Sequence, residues 1–138
     1  MSVRALPLLV LAFILYNAVV FSMGLDVINK PEEHYIFQIR MMSGGVWGFG
    51  WGDFILLVTF ILLFIEIVKS TFTTTSTLID HALSMIVFIA VGAEFLLVPQ
   101  AATSVFFLIL VACLIDVIGG YTIGIRVARR DLNIGADH

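Results

Sequence analysis

The chain has 138 residues, 61% of them hydrophobic and 12% charged, with a mean hydropathy of +1.12, a balance far outside that of soluble domains. It reads as an integral membrane protein with room for a few spanning helices of about 20 residues each, and a separate soluble domain is not expected. The formal net charge of −3 comes mostly from acids in or beside apolar runs, and the single cysteine, Cys113, provides no CxxC pair, which excludes dithiol chemistry within the chain.

The first apolar run extends from about Ala5 to Gly24, behind Arg4, and contains Asn17. It overlaps in character with a secretory signal but is long enough to span, so a retained helix is expected. In the following "HYIFQIRMMSGGVWGFGWGDF", Tyr35, Phe37, Ile39 and Met41 alternate with His34, Gln38 and Arg40. That period of two, then Ser43-Gly44-Gly45, then Val46, Trp47, Phe49 and Trp51 among glycines, predicts a β-hairpin over about residues 34–51. Its aromatics suit an interfacial lid at headgroup depth over the outer mouth of a bundle. A functional lid or a partner-docking edge is the other reading, because an isolated hairpin is only marginally stable.

The second run, Asp53 to Val68, is the shortest, and spans if Trp47, Phe49 and Trp51 help to fill the outer interface. The polar stretch "KSTFTTTST" leads to a third run, Leu78 to Val98, and Pro99-Gln100 reverses the chain into a fourth, Ala101 to Gly124. Helices three and four should be antiparallel neighbours. With the N-terminus inside, Arg4, Lys69, Arg126, Arg129 and Arg130 are cytoplasmic and only Lys30 and Arg40 lie outside, so both termini are expected in the cytoplasm. The expected fold is an all-α membrane protein: a single multi-pass domain forming a four-transmembrane-helix bundle, with an extracytoplasmic β-hairpin between helices one and two.

A hairpin leading into "GDFILL", then "DHALSMIVFIAVGAEFLLVPQAATSVFFLILVACLIDVIGG" and a closing "IRVARRDL", resembles an uncharacterised family of small four-helix inner-membrane proteins from proteobacteria. The resemblance covers about His34 to Leu132. It implies this architecture and a bacterial inner-membrane location, and carries over neither an activity nor catalytic residues.

Ionisable groups inside the apolar runs are the main functional signal, since a charge at the bilayer centre costs about 2.5–3.5 kcal/mol and must face a bundle interior, pair or be neutralised. Counted along the helices, Glu66, Asp80, His81 and Asp116 lie toward the cytoplasm, and Glu94 lies toward the outer face at a depth that Asn17 can approach. Asp80, Ser84, Val87, Val91 and Glu94 share one stripe of helix three. Thr59 and Glu66 share a face of helix two, and Ala112, Asp116 and Gly120 a face of helix four.

Each residue also has a modest role open to it. Thr77 with Asp80 fits a capping box, Glu66 can reach Lys69 three residues on, and His81 can bond to the polar loop. Glu66, Asp80, His81 and Asp116 are chemically suitable metal ligands, but their spacing matches no metal motif, and neither metal nor cofactor is expected. Asp116 and Glu94 have no charged neighbour nearby, which leaves interhelical hydrogen bonding or a proton-linked site. Gly120 and Gly124 form a GxxxG step suited to packing between chains or within one. Arg126 and Arg130 share a face that suits anionic headgroups or simple topology anchoring.

Without a thiol pair, phosphate loop or nucleophile–base pairing, the leading functional expectation is a non-enzymatic accessory, assembly or structural component of a membrane complex, with a homo-oligomer as one form it can take. The lipid bilayer and another membrane protein or a second copy are the partners expected, and nucleic acid is not. The alternative is a proton- or cation-linked transporter or channel subunit using Glu94 and Asp116.

Overall fold

The computed structural model describes residues 6–72 and 77–136. Arg4, the centre of the polar stretch and the Thr77 side chain on which the capping box depends lie outside the described residues. The elements follow in the order α1 (Leu9–Met23), α2 (Asp26–Asn29), β1 (Phe37–Arg40), β2 (Val46–Phe49), α3 (Trp51–Ser70), α4 (Thr77–Leu97) and α5 (Ser104–Ala136), with short 3-10 turns at Pro31–Glu33 and Pro99–Ala101. Three helices, α3, α4 from Ile79 and α5 as far as Arg126, are long and apolar enough to cross a membrane.

Local chemistry moves the helix ends away from the ends of the apolar runs. The first run was read as a helix from Ala5 to Gly24, whereas α1 has 15 residues, about 22 Å. Pro7 precedes its start, and Gly24, at φ 94° with its N–H on Val20 O at 2.9 Å, closes it. Helix α3 begins before Asp53 because Gly50 is extended and donates its N–H to Asp53 Oδ2 at 3.0 Å, placing an acid at the positive helix end. Helix α5 begins at Ser104, not Ala101, where Thr103 Oγ1 accepts the Phe106 N–H at 3.2 Å. It continues well past Gly124, because loss of hydropathy ends an apolar run without ending a helix.

The hairpin pairs Phe37 with Phe49, Gln38 with Gly48, Ile39 with Trp47 and Arg40 with Val46. Its loop closes through Gly44 N–H to Met41 O at 2.9 Å and Met41 N–H to Gly45 O at 2.7 Å. Gly44 takes φ 90°, the left-handed conformation such a loop requires. At Gly48 the Tyr35 ring lies where a Cβ would stand, so any side chain there displaces the tyrosine.

Helix α5 lies against both α3 and α4, and α1 packs on α3. Phe95 meets Phe106 and Phe107 near the Pro99 turn while His81 meets Tyr121 far from it, so α4 and α5 are antiparallel. Gly52 lies beside Val105 and Gly120 beside Ser70, so α3 and α5 run in the same direction. The core gathers Leu9, Tyr16, Ile55, Val91, Phe106 and Ile109, all buried. Within it Tyr16 meets Phe106 edge-on at 4.9 Å. Its hydroxyl donates to Gln100 O at 2.7 Å and shares a 2.8 Å hydrogen bond with Thr103 Oγ1.

Tyr16 therefore ties α1 to the turn between α4 and α5. Tyr16→Phe keeps the ring and removes both bonds, with an expected loss of about 1–3 kcal/mol. Thermal unfolding in detergent checks this: the midpoint should fall, and an unchanged midpoint would assign the tie no energetic weight.

Candidate functional site

At the end of the bundle away from the hairpin, α3, α4 and α5 enclose a cavity of about 40 Å³ lined by Glu66, Lys69, Ser70, Asp80, His81, Ser84, Asp116, Gly120 and Gly124. That volume suits one or a few water-sized occupants. Helical spacing explains the convergence. Glu66 and Ser70 are four apart on α3, Asp80 and Ser84 four apart on α4, and Asp116, Gly120 and Gly124 follow at four-residue steps on α5. Gly120 of the GxxxG step approaches Ser70, and Gly120 and Gly124 both line the cavity.

Glu66 links the site to α1. It is buried, and its Oε1 accepts the Leu8 N–H at 2.8 Å and a bond from Lys69 Nζ at 3.0 Å. Lys69 Nζ also donates to Leu6 O at 3.2 Å. Glu66 thus caps the N-terminus of α1 from a different helix, satisfying a backbone donor that α1 cannot satisfy itself. The sequence showed the Glu66–Lys69 pair but not its backbone partner.

Asp116 is buried, and it lines the cavity from α5 as Ser84 does from α4. The His81 ring lies 4.8 Å from that of Tyr121 on α5, at an interplanar angle of 31°, while the centre of the polar loop expected to bond it lies outside the described residues. Asp80 shares the cavity, and its Oδ1 is buried without a hydrogen-bond partner among the described residues. No group of three or more His, Cys, Asp or Glu side chains among the described residues is arranged to hold a metal ion.

Glu94 stands apart from this cluster. Asn17 Nδ2 on α1 donates to Glu94 Oε2 at 3.0 Å and to Phe13 O at 2.9 Å. Glu94 and Asp116, which the sequence places toward opposite faces, occupy two separate polar contacts near opposite ends of the bundle. Trp47, Phe49 and Trp51 lie at the hairpin end. Lys69, Ser70, Tyr16, Thr103 and Tyr121 were not singled out as site residues. Of these, the sequence points only to Lys69, through its three-residue spacing from Glu66.

The Glu66 contact can be separated into its parts. Glu66→Ala leaves the Leu8 N–H and the Lys69 side chain without this acceptor and should cost about 1–3 kcal/mol, whereas Glu66→Gln keeps an oxygen for Leu8 and should cost less. Equal thermal midpoints for the two variants would remove the capping role. Comparison with protein-family models, curated proteins and solved structures produced no match.

Proposed function

We propose that the chain is a multi-pass protein of the bacterial inner membrane that serves as a non-enzymatic accessory or assembly component of a membrane complex. The observation that carries this is the outward face of α4. Only 6% of its apolar window is buried within the chain, against 33% for α5. Ile79, Ala82, Ile86, Ala90, Ala93 and Leu97 are all exposed and follow steps of three and four residues. Such a stripe, with alanines between larger apolar side chains, suits the close approach of a neighbouring helix as well as lipid.

Helix α1 completes the bundle in this reading. Its first turn is fixed to Glu66 near one end of α3, and Leu6 and Leu8 extend its apolar length, so it serves as a fourth membrane segment. The excess of basic residues in Lys69 and the end of α5 supports a cytoplasmic position for that end in this reading. The inner-membrane location also agrees with the sequence resemblance.

A second reading, a proton- or cation-linked role, is favoured by the cavity. Carboxylates from three helices line it, and Asp80 Oδ1 has no partner among the described residues. An ionised carboxylate held this way in apolar surroundings is costly, so a proton or small cation would stabilise it.

The two readings separate experimentally. Ile86→Trp with Ala93→Trp, on the exposed face of α4, should leave the monomer's thermal midpoint unchanged and shift the native mass of the gently extracted complex downward. A native mass already equal to one chain would overturn the accessory reading. Loss of proton or cation flux in Asp80→Asn and Asp116→Asn proteoliposomes, with folding retained, would establish the second reading in its place.

A further inference from the structure

We infer that one face of the hairpin, Phe37, Ile39, Trp47 and Phe49, inserts into the lipid headgroup layer where α3 enters the bilayer. This anchors the segment between α1 and α3 to the membrane surface, and it rests on the membrane-crossing reading of α3.

Five observations support it. The register places these four side chains on one side of the sheet, with Gln38 and Arg40 on the other. The apolar side is pre-formed: Phe37 stacks on Phe49 with centroids 4.8 Å apart and 9° between the planes, and Trp47 meets both rings edge-on. Cross-strand aromatic packing of this kind holds the face rigid without help from the bundle. That face is nevertheless left open, with Phe37 43%, Ile39 45% and Trp47 46% exposed.

The remaining observations identify lipid as the occupant. Only Gly50 separates the end of β2 from the start of α3 at Trp51, so a crossing α3 brings the aromatic face to the bilayer boundary. Tryptophan and phenylalanine rings are stabilised at that depth. Charge favours apolar insertion over attraction to anionic headgroups. From Asp26 to Asp53 the acids are Asp26, Glu32, Glu33 and Asp53 and the bases Lys30 and Arg40, a formal −2.

The chain contains two tryptophans, which makes the test direct. In the full-length protein Trp51→Phe leaves Trp47 as the sole reporter of the hairpin face, and Trp47→Phe leaves Trp51 as a depth marker at the first residue of α3. Both are reconstituted in phosphatidylcholine vesicles containing lipids brominated close to the headgroup or close to the chain end. Trp47 fluorescence should be quenched several-fold more by the shallow bromines than by the deep ones, resist aqueous iodide, and be unchanged when half the lipid is anionic. Quenching of Trp47 by iodide and not by lipid, while Trp51 remains lipid-quenched, would overturn the anchor. Protection from both quenchers would overturn it too and show a covering protein. Absence of lipid quenching at Trp51 would instead overturn the membrane crossing of α3. Should Trp51→Phe fail to fold, a fluorophore on Ile39→Cys, with Cys113 buried, reports the same face.

Discussion

A backbone N–H removed from water must find an acceptor, and at a helix start the helix itself offers none. The Leu8 N–H meets this constraint through Glu66 Oε1, 58 residues away in sequence. The contact accounts for a carboxylate in an apolar helix, for the position of Lys69 beside it, and for how a 15-residue helix is held against a 20-residue one. Replacing Glu66 by an apolar residue of similar volume would remove the desolvation cost of the charge but leave Leu8 unpaired.

Two further polar contacts extend the same logic along α1. Asn17 reaches Glu94 on α4, and Tyr16 reaches Gln100 and Thr103 at the turn into α5. The shortest of the four apolar helices is thus tied by hydrogen bonds to each of the other three or to the turn that joins them. Apolar packing alone discriminates poorly among helix positions in lipid, since lipid tails are as apolar as leucine, whereas directional hydrogen bonds specify them. In this arrangement Glu66 and Glu94 act as ties. Asp80 and Asp116 remain beside the small cavity.

Periodicity carried much of this into view from the sequence. The alternation around Phe37 and Ile39 corresponds to the strand pairing, and the stripe from Asp80 through Ser84 and Val91 to Glu94 turns toward the other helices. Depth counted along the helices brought Asn17 and Glu94 to one level. Helix ends were harder to read, because capping by Gly50 and Thr103 and the stop at Gly24 are local backbone events inside or beside apolar runs. The Leu8 partner of Glu66 and the partners of Tyr16 and His81 were not legible. A backbone N–H leaves no mark in a sequence, and Tyr16 and Tyr121 look like ordinary apolar positions until the helices are set side by side.

The most direct measurement is a magic-angle-spinning NMR distance between Glu66 and Leu8, in protein labelled with 13C at the Glu66 carboxyl and 15N at the Leu8 amide and reconstituted in lipid bilayers. A strong dipolar coupling, as a 2.8 Å hydrogen bond between these groups requires, is the expected result. A coupling below detection, with the helical chemical shifts of α1 and α3 retained, would contradict the account: α1 would then be held against α3 by something other than its carboxylate.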